Sequence, residues 1–280
     1  MFFLIIDLIK KKKKKMDYFI DTTRILCPQE REPFPLIHMT QTWEVLKKIL
    51  SEGFRPSYCE ETISNDTESK LACFPMISVS NVTMDFAISY QKSYGTLGVV
   101  LTKEWGEENG FNPVLYLEKK SDLTNDIVSN FKHIVGPSKD ELRRIVNYTY
   151  EDTREYLTRQ QIKIFAYSKN YDGDLVRNKI LVSKKYPFGM EREWRRIIKD
   201  EMVPYFLVGD EEISKKKEYN QLIEGLRIDF KIEHLKGIII ETEWQLNEVK
   251  EIVCKKFNLK DFPKNIEIRI NTSRHVPDEG

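Results

Sequence analysis

The sequence predicts a mixed α+β protein, built on a twisted, largely antiparallel sheet with flanking helices. Three observations predict it. Apolar residues alternate with period two in several separate stretches, among them Phe74 to Ser80, Ile228/Phe230/Ile232 and Ile266/Ile268/Ile270. Between them lie stripes of helical period, at Val45/Leu46/Ile49/Leu50, Leu123/Ile127/Val128/Phe131 and Leu246/Val249/Ile252/Val253/Phe257. Finally, the 280 residues are 40% hydrophobic, 32% charged and 11% aromatic, a balance that excludes collagen-like, low-complexity and disordered chains.

The N-terminus stands apart. Phe2 to Ile9 is apolar but interrupted by Asp7, and it precedes the Lys10–Lys15 run. A secretory signal has the opposite order, and a membrane span needs about 20 apolar residues. With a second methionine at Met16, residues 1–15 read as a non-native or disordered extension, and the fold as a single α+β domain over 16–280. The alternative is a surface anchor of apolar segment plus polybasic patch. The whole chain carries +1, but without residues 1–15 Lys+Arg is 39 against 43 Asp+Glu, a net of −4. That disfavours a general polyanion binder. With no apolar run near 18 residues, the expected location is the cytoplasm and no membrane partner is expected. Cys27, Cys59, Cys73 and Cys254 lack CxxC spacing and read as reduced residues, and His38, His133, His234 and His275 form no ligand ladder, so no metal is expected.

The elements follow in order. Pro33 and Pro35 lead into the strand Leu36–Met39, and Thr40 is placed to cap a helix that Gly53 ends. Residues 60–70 are polar and without period, which reads as a mobile loop. A strand over Phe74–Ser80 precedes a short helix carrying Met84, Phe86, Ala87 and Tyr90. Tyr94-Gly95-Thr96-Leu97-Gly98 is a glycine-spaced turn into the strand ending at Leu101, and Pro113–Leu117 is a further strand. Ser138 to Glu141 has capping-box spacing before Leu142, Ile145 and Val146. Strands are expected at Ile162–Tyr167, Glu193–Ile198 and Val203–Val208.

Phosphate-loop, dinucleotide-fingerprint, nucleophile-elbow and calcium-loop motifs are absent. What remains is distributed. His38, at the end of a strand beside a helix cap, projects where strand and helix part and could hold a sugar hydroxyl or a phosphate; a core histidine bonded to backbone is the plain alternative. Thr40 is either part of that cleft or simply an N-cap. Ser78, Ser80, Tyr90 and Tyr94 gather around the glycine-spaced turn, where a tyrosine can stack on a planar ligand or pack in the core. In a strand, Glu191, Glu193 and Arg195 share one face, offering two carboxylates beside a guanidinium, either for stabilising an oxocarbenium ion or as a salt-bridge ladder.

These motifs in this order, Leu36-Ile37-His38-Met39-Thr40 with the helix to Gly53, Tyr94 to Trp105, Asn112 to Tyr116, and Arg192-Glu193-Trp194-Arg195, resemble the AbiGi family. The resemblance spans roughly Pro35 to Arg196. It implies a bacterial abortive-infection phage-resistance protein, the antitoxin and regulatory partner of a cognate toxin encoded nearby. The strand-His-x-Thr-helix opening is also similar to the first NAD-binding element of ADP-ribosyltransferases. That likeness implies an NAD-consuming enzyme modifying nucleic acid or protein, with nucleic acid only as substrate. His38 and Thr40 would then hold the cofactor, Tyr90 or Tyr94 would stack on nicotinamide, and Glu193 would be catalytic together with His38. Met39 between His and Thr departs from the small residue usual there, and Glu191 competes with Glu193.

Overall fold

The computed structural model describes residues 34–90, 92–135, 160–177 and 180–272. The expectations for residues 1–15 and for the capping box at 138–146 lie outside them. Alternation and stripes resolve into an eight-stranded sheet with spatial order β12-β11-β4-β1-β3-β10-β5 and β2 also paired to β3. The strands are β1 (Leu36–Thr40), β2 (Ser57–Ser64), β3 (Ser69–Asn81), β4 (Leu97–Leu101), β5 (Asn112–Pro113), β10 (Glu193–Ile197), β11 (Leu235–Ile240) and β12 (Glu267–Ile270). Within this sheet only β11 and β12 run parallel; its other pairings are antiparallel. The mixed, mainly antiparallel α+β architecture is thus the one the sequence predicts.

The 13-residue β3 organises the sheet. Along one edge it pairs first with β2 and then, at only two positions, with β1; along the other it pairs with β10. On one face, helices α1 (Trp43–Glu52) and α7 (Trp244–Lys256) cover Leu36, Ile77, Val79, Leu97, Val99, Leu101, Ile238 and Ile240. On the other, α2 (Met84–Tyr90) packs over Ile37, Met39, Val100 and Ile239. Further along that face, α4 (Asp122–Val135) and a helix over 160–166 cover Ile63, Ala72, Phe74, Met76 and Ile197. Buried charges collect between these two apolar clusters.

Several local expectations are corrected. The helix cap is Thr42, whose Oγ1 accepts from Val45 N at 3.3 Å, because β1 continues through a buried Thr40. Gly53 does close the helix, at φ 93°. Residues 60–70 are not a loop: β2 and β3 form a hairpin there, turned by Asn65, whose side-chain oxygen accepts from Thr67 N and Glu68 N. The stretch expected as a strand from Ile162 is helical through Ala166, with Tyr167 in the following turn, since Ile162, Phe165 and Ala166 recur at helical spacing and pack beside Phe131. Val203–Val208 and Ile228–Ile232 contribute only the single bridges Cys73–Leu207 and Phe54–Ile228, and Ile232 already belongs to the 3-10 turn Ile232–His234 that leads into β11. Pro113–Leu117 divides into β5, in the main sheet, and β6 (Leu115–Leu117), which pairs in parallel with β7 (Ser168–Asn170).

Candidate buried charge site

Register decides which side chains meet. Ile37 and Glu193 both lie opposite Ser80, and Arg195 lies opposite Ser78, so all five share one face of the sheet. On β2, Glu61 lies opposite Ala72, which is two residues from Phe74 and four from Met76 along β3, and projects from the same face. The turn Phe188–Glu191 adds Glu191, and Arg192, in the left-handed conformation at φ 47°, redirects the chain into β10. Lys169 on β7 faces Tyr116 on β6 and completes the group.

Arg195 is the centre. It is fully buried, and its five N–H groups all find acceptors. Nε donates to Glu193 Oε1 at 2.6 Å; the two terminal nitrogens reach Glu193 Oε2 at 3.1 Å, Glu61 Oε2 at 2.7 Å, and the Ala166 and Ser168 carbonyls at 3.0 and 3.3 Å. Lys169 Nζ bridges Glu193 Oε2 at 2.9 Å and Glu191 Oε2 at 3.1 Å, and stacks over Phe188 at 4.5 Å. Tyr94 donates its hydroxyl to Glu191 Oε1, and the Tyr116 hydroxyl accepts from Glu193 N at 2.8 Å. Three carboxylates face two cations.

The protonation states follow from these contacts. Burial alone would raise the Glu193 carboxyl, but Arg195 and Lys169 outweigh it and hold the group far below the usual carboxylate range. For Glu61 the balance reverses: desolvation exceeds the attraction of Arg195 and Lys169, so its carboxyl is raised. Burial opposes charge on Lys169 as well, yet Glu193, Tyr94, Glu191 and Glu61 keep its ammonium firmly protonated. Cys59 and Cys73 are raised by burial, Cys73 to about 12, so neither thiol is an activated nucleophile.

Of the residues singled out by sequence, the structure brings together Tyr94, Glu191, Glu193, Arg195 and, on the sheet beside them, Ser78 and Ser80. It does not bring His38 or Thr40 to them. His38 follows Ile37 and projects from the opposite face, meeting the Phe54 ring edge-on at a centroid distance of 5.3 Å. Its Nδ1 donates to the Ser78 carbonyl at 2.9 Å, filling the edge of β3 where β1 has parted from it. Burial lowers its pKa, so the ring is neutral, and the carbonyl fixes the proton on Nδ1. The Tyr90 side chain lies outside the described residues. His38 and Thr40 therefore lie on the face of the sheet opposite the one that carries Glu193 and Arg195. An open groove of about 520 Å³ lies elsewhere, beside Asp229, Phe230 and Phe257, where Lys256 already stacks on Phe230 at 4.0 Å.

Glu61, Tyr116 and Lys169 were missed by sequence. The alternation of Cys59, Glu61 and Ile63 was a usable strand signal for the first; Lys169 has no such signal, because only the fold brings β7 to β10.

A family model described as abortive phage resistance protein AbiGi, antitoxin, matches residues 52–241. The chain belongs to the AbiGi family. The AbiGi match contains every member of the charge cluster from Glu61 to Arg195, whereas His38 and Thr40 precede it. No curated protein and no solved structure matches the chain. No helix among the described residues is long and apolar enough to cross a membrane, and none of their His, Cys, Asp and Glu side chains form a group of three suited to a metal ion.

Proposed function

We propose that this chain is the antitoxin of a two-gene abortive-infection pair: a cytoplasmic protein that binds a toxin encoded nearby and holds it inactive until phage infection. The observation that carries the reading is the AbiGi match over residues 52–241. The chemistry of the charge cluster supports a binding role over a catalytic one. Glu193 has both oxygens occupied by Arg195 and Lys169, so it is a poor proton acceptor, and its negative charge is already neutralised for any cation forming nearby.

The test is growth of cells expressing the neighbouring gene product alone and together with this chain. Arrest by the first and recovery in the second is the expected result. Equal arrest in both would refute the antitoxin role. The NAD-consuming alternative has its own readout, nicotinamide release by the purified protein; release that disappears in Glu193→Gln would replace the proposed function with a transferase.

A further inference from the structure

After the hairpin of β8 (Gly173–Arg177) and β9 (Ile180–Tyr186), the chain turns at Arg192 into β10. Glu193 and Arg195 point into the buried cluster, so Trp194 and Arg196, opposite Val79 and Ile77, project from the other face of the sheet. There the exposed Arg192 lies over the Phe34 ring at 4.9 Å, and Lys103, from α3 (Lys103–Glu108), lies over the half-buried Trp194 ring at 5.5 Å. The two arginines of this patch differ from the others. Six arginine side chains are described; Arg55, Arg195, Arg227 and Arg269 are in ion pairs, whereas Arg192 and Arg196 meet no carboxylate among the described residues. Arg196 Nε is buried without any acceptor, so no hydrogen bond of the fold anchors that group. A donor withdrawn from water and left unpaired is unfavourable, and a guanidinium fork matches a carboxylate through two parallel bonds.

We infer that Phe34, Arg192, Trp194 and Arg196 form the surface that binds the toxin, through carboxylates on an acidic face of that partner. Tryptophan and arginine are the side chains that carry most of the energy in protein interfaces, and the weakly hydrated guanidinium suits an ion pair that is closed off from water. Charge complementarity selects the occupant. Residues 1–33 hold eight Lys and Arg against five Asp and Glu, and residues 136–159 hold five against five, so neither segment of the chain itself brings a surplus of carboxylates. A second copy would set arginine against arginine across a two-fold contact. Nucleic acid is the poorer match because Glu104, Glu107 and Glu108 are exposed along α3 beside Lys103, where a phosphate backbone needs further cations. The inference rests on the antitoxin reading in taking the partner to be the toxin.

The test is calorimetric titration of the purified neighbouring gene product into the full chain, the double variant Arg192→Gln with Arg196→Gln, and Arg55→Gln, whose arginine is already paired with Glu224. Each is measured at low and at physiological ionic strength, with circular dichroism as the check on folding. The expected result is a loss of affinity of about tenfold or more in the double variant and none in Arg55→Gln, with wild-type affinity falling as salt is added. Unchanged affinity in the double variant overturns this surface and leaves the antitoxin reading in place. Wild-type affinity that is indifferent to salt overturns it as well, however the variants fold. If the wild type binds nothing, the antitoxin reading falls and the docking proposal with it. Two other occupants have their own signatures. A melting temperature of the free double variant that lies below wild type at low salt and converges with it at high salt would assign the arginines to the chain's own carboxylates, in residues 1–33 or 136–159. A single-stranded oligonucleotide that binds the wild type and not the double variant would assign them to nucleic acid; either result overturns the proposal.

Discussion

Glu61 and Glu193 both bind Arg195, yet neutralising them should have opposite consequences. Glu193→Gln removes the charge that accepts from Arg195 at 2.6 and 3.1 Å and from Lys169 at 2.9 Å, leaving two buried cations short of a counter-ion. Breaking a buried pair from one side costs about 3–5 kcal/mol. At about 2–4 °C per kcal/mol for a chain of this size, the melting temperature should fall by roughly 6–20 °C. Glu61 makes one contact, at 2.7 Å, and its carboxylate is opposed by burial, so Glu61→Gln keeps an acceptor and relieves a charge. It should change stability by less than about 1 kcal/mol at pH 7.5, in the stabilising direction.

The pH dependence separates them again. A carboxyl raised in the fold contributes fully below its unfolded value and loses that contribution as pH rises through the folded one, so wild type should gain on Glu61→Gln when acidified from pH 7.5 toward 5. Glu193 is lowered, so its contribution is present above the ordinary carboxylate range and persists well into acid; the gap to Glu193→Gln should stay constant over the same interval. Denaturant titration of the three proteins at both pH values is the assay. Equal losses for the two variants at pH 7.5 would refute the assignment of Glu193 as the structural counter-ion.

Three further outcomes are expected. His38→Gln should flatten the acid limb of the stability profile: a histidine lowered in the fold contributes fully above about pH 6.5 and loses that contribution as pH falls, so an identical limb in wild type and variant would place the titrating group elsewhere. Gly95 sits at φ 133° with the Thr40 carbonyl against the position of a Cβ, so Gly95→Ala should cost at least about 2 kcal/mol by calorimetry; a neutral result would contradict that close approach. Thr42→Ala should cost about 0.5–2 kcal/mol through loss of the cap, whereas Thr40→Val should leave the cap of α1 intact; the reverse order in thermal melts would restore Thr40 as the cap.

The legible part of the fold was the part with a strong period. α1, α4 and α7 carry apolar stripes and lie where the stripes predict, as do β4 and β12. Short apolar runs misled, because Ile162–Tyr167 has the composition of a buried strand and its helical packing is set by Phe74 and Phe131, which are distant in sequence. Polar strands were invisible: Glu60, Glu61 and Thr62 belong to β2 because they pair with β3, and Glu61 is half-buried where it meets Arg195. The site was half legible for the same reason. Local alternation placed Glu193 beside Arg195, but only long-range register shows that Lys169 and Glu61 join them and that His38 projects from the other face.

The most direct test of the antitoxin assignment is depletion of this chain, by a repressible promoter, from cells that retain the neighbouring gene, with viable counts followed over several generations. Growth should stop as the chain is lost, and deleting the neighbouring gene should restore it. Continued growth on depletion, with the neighbouring gene product present in the cells, would contradict it.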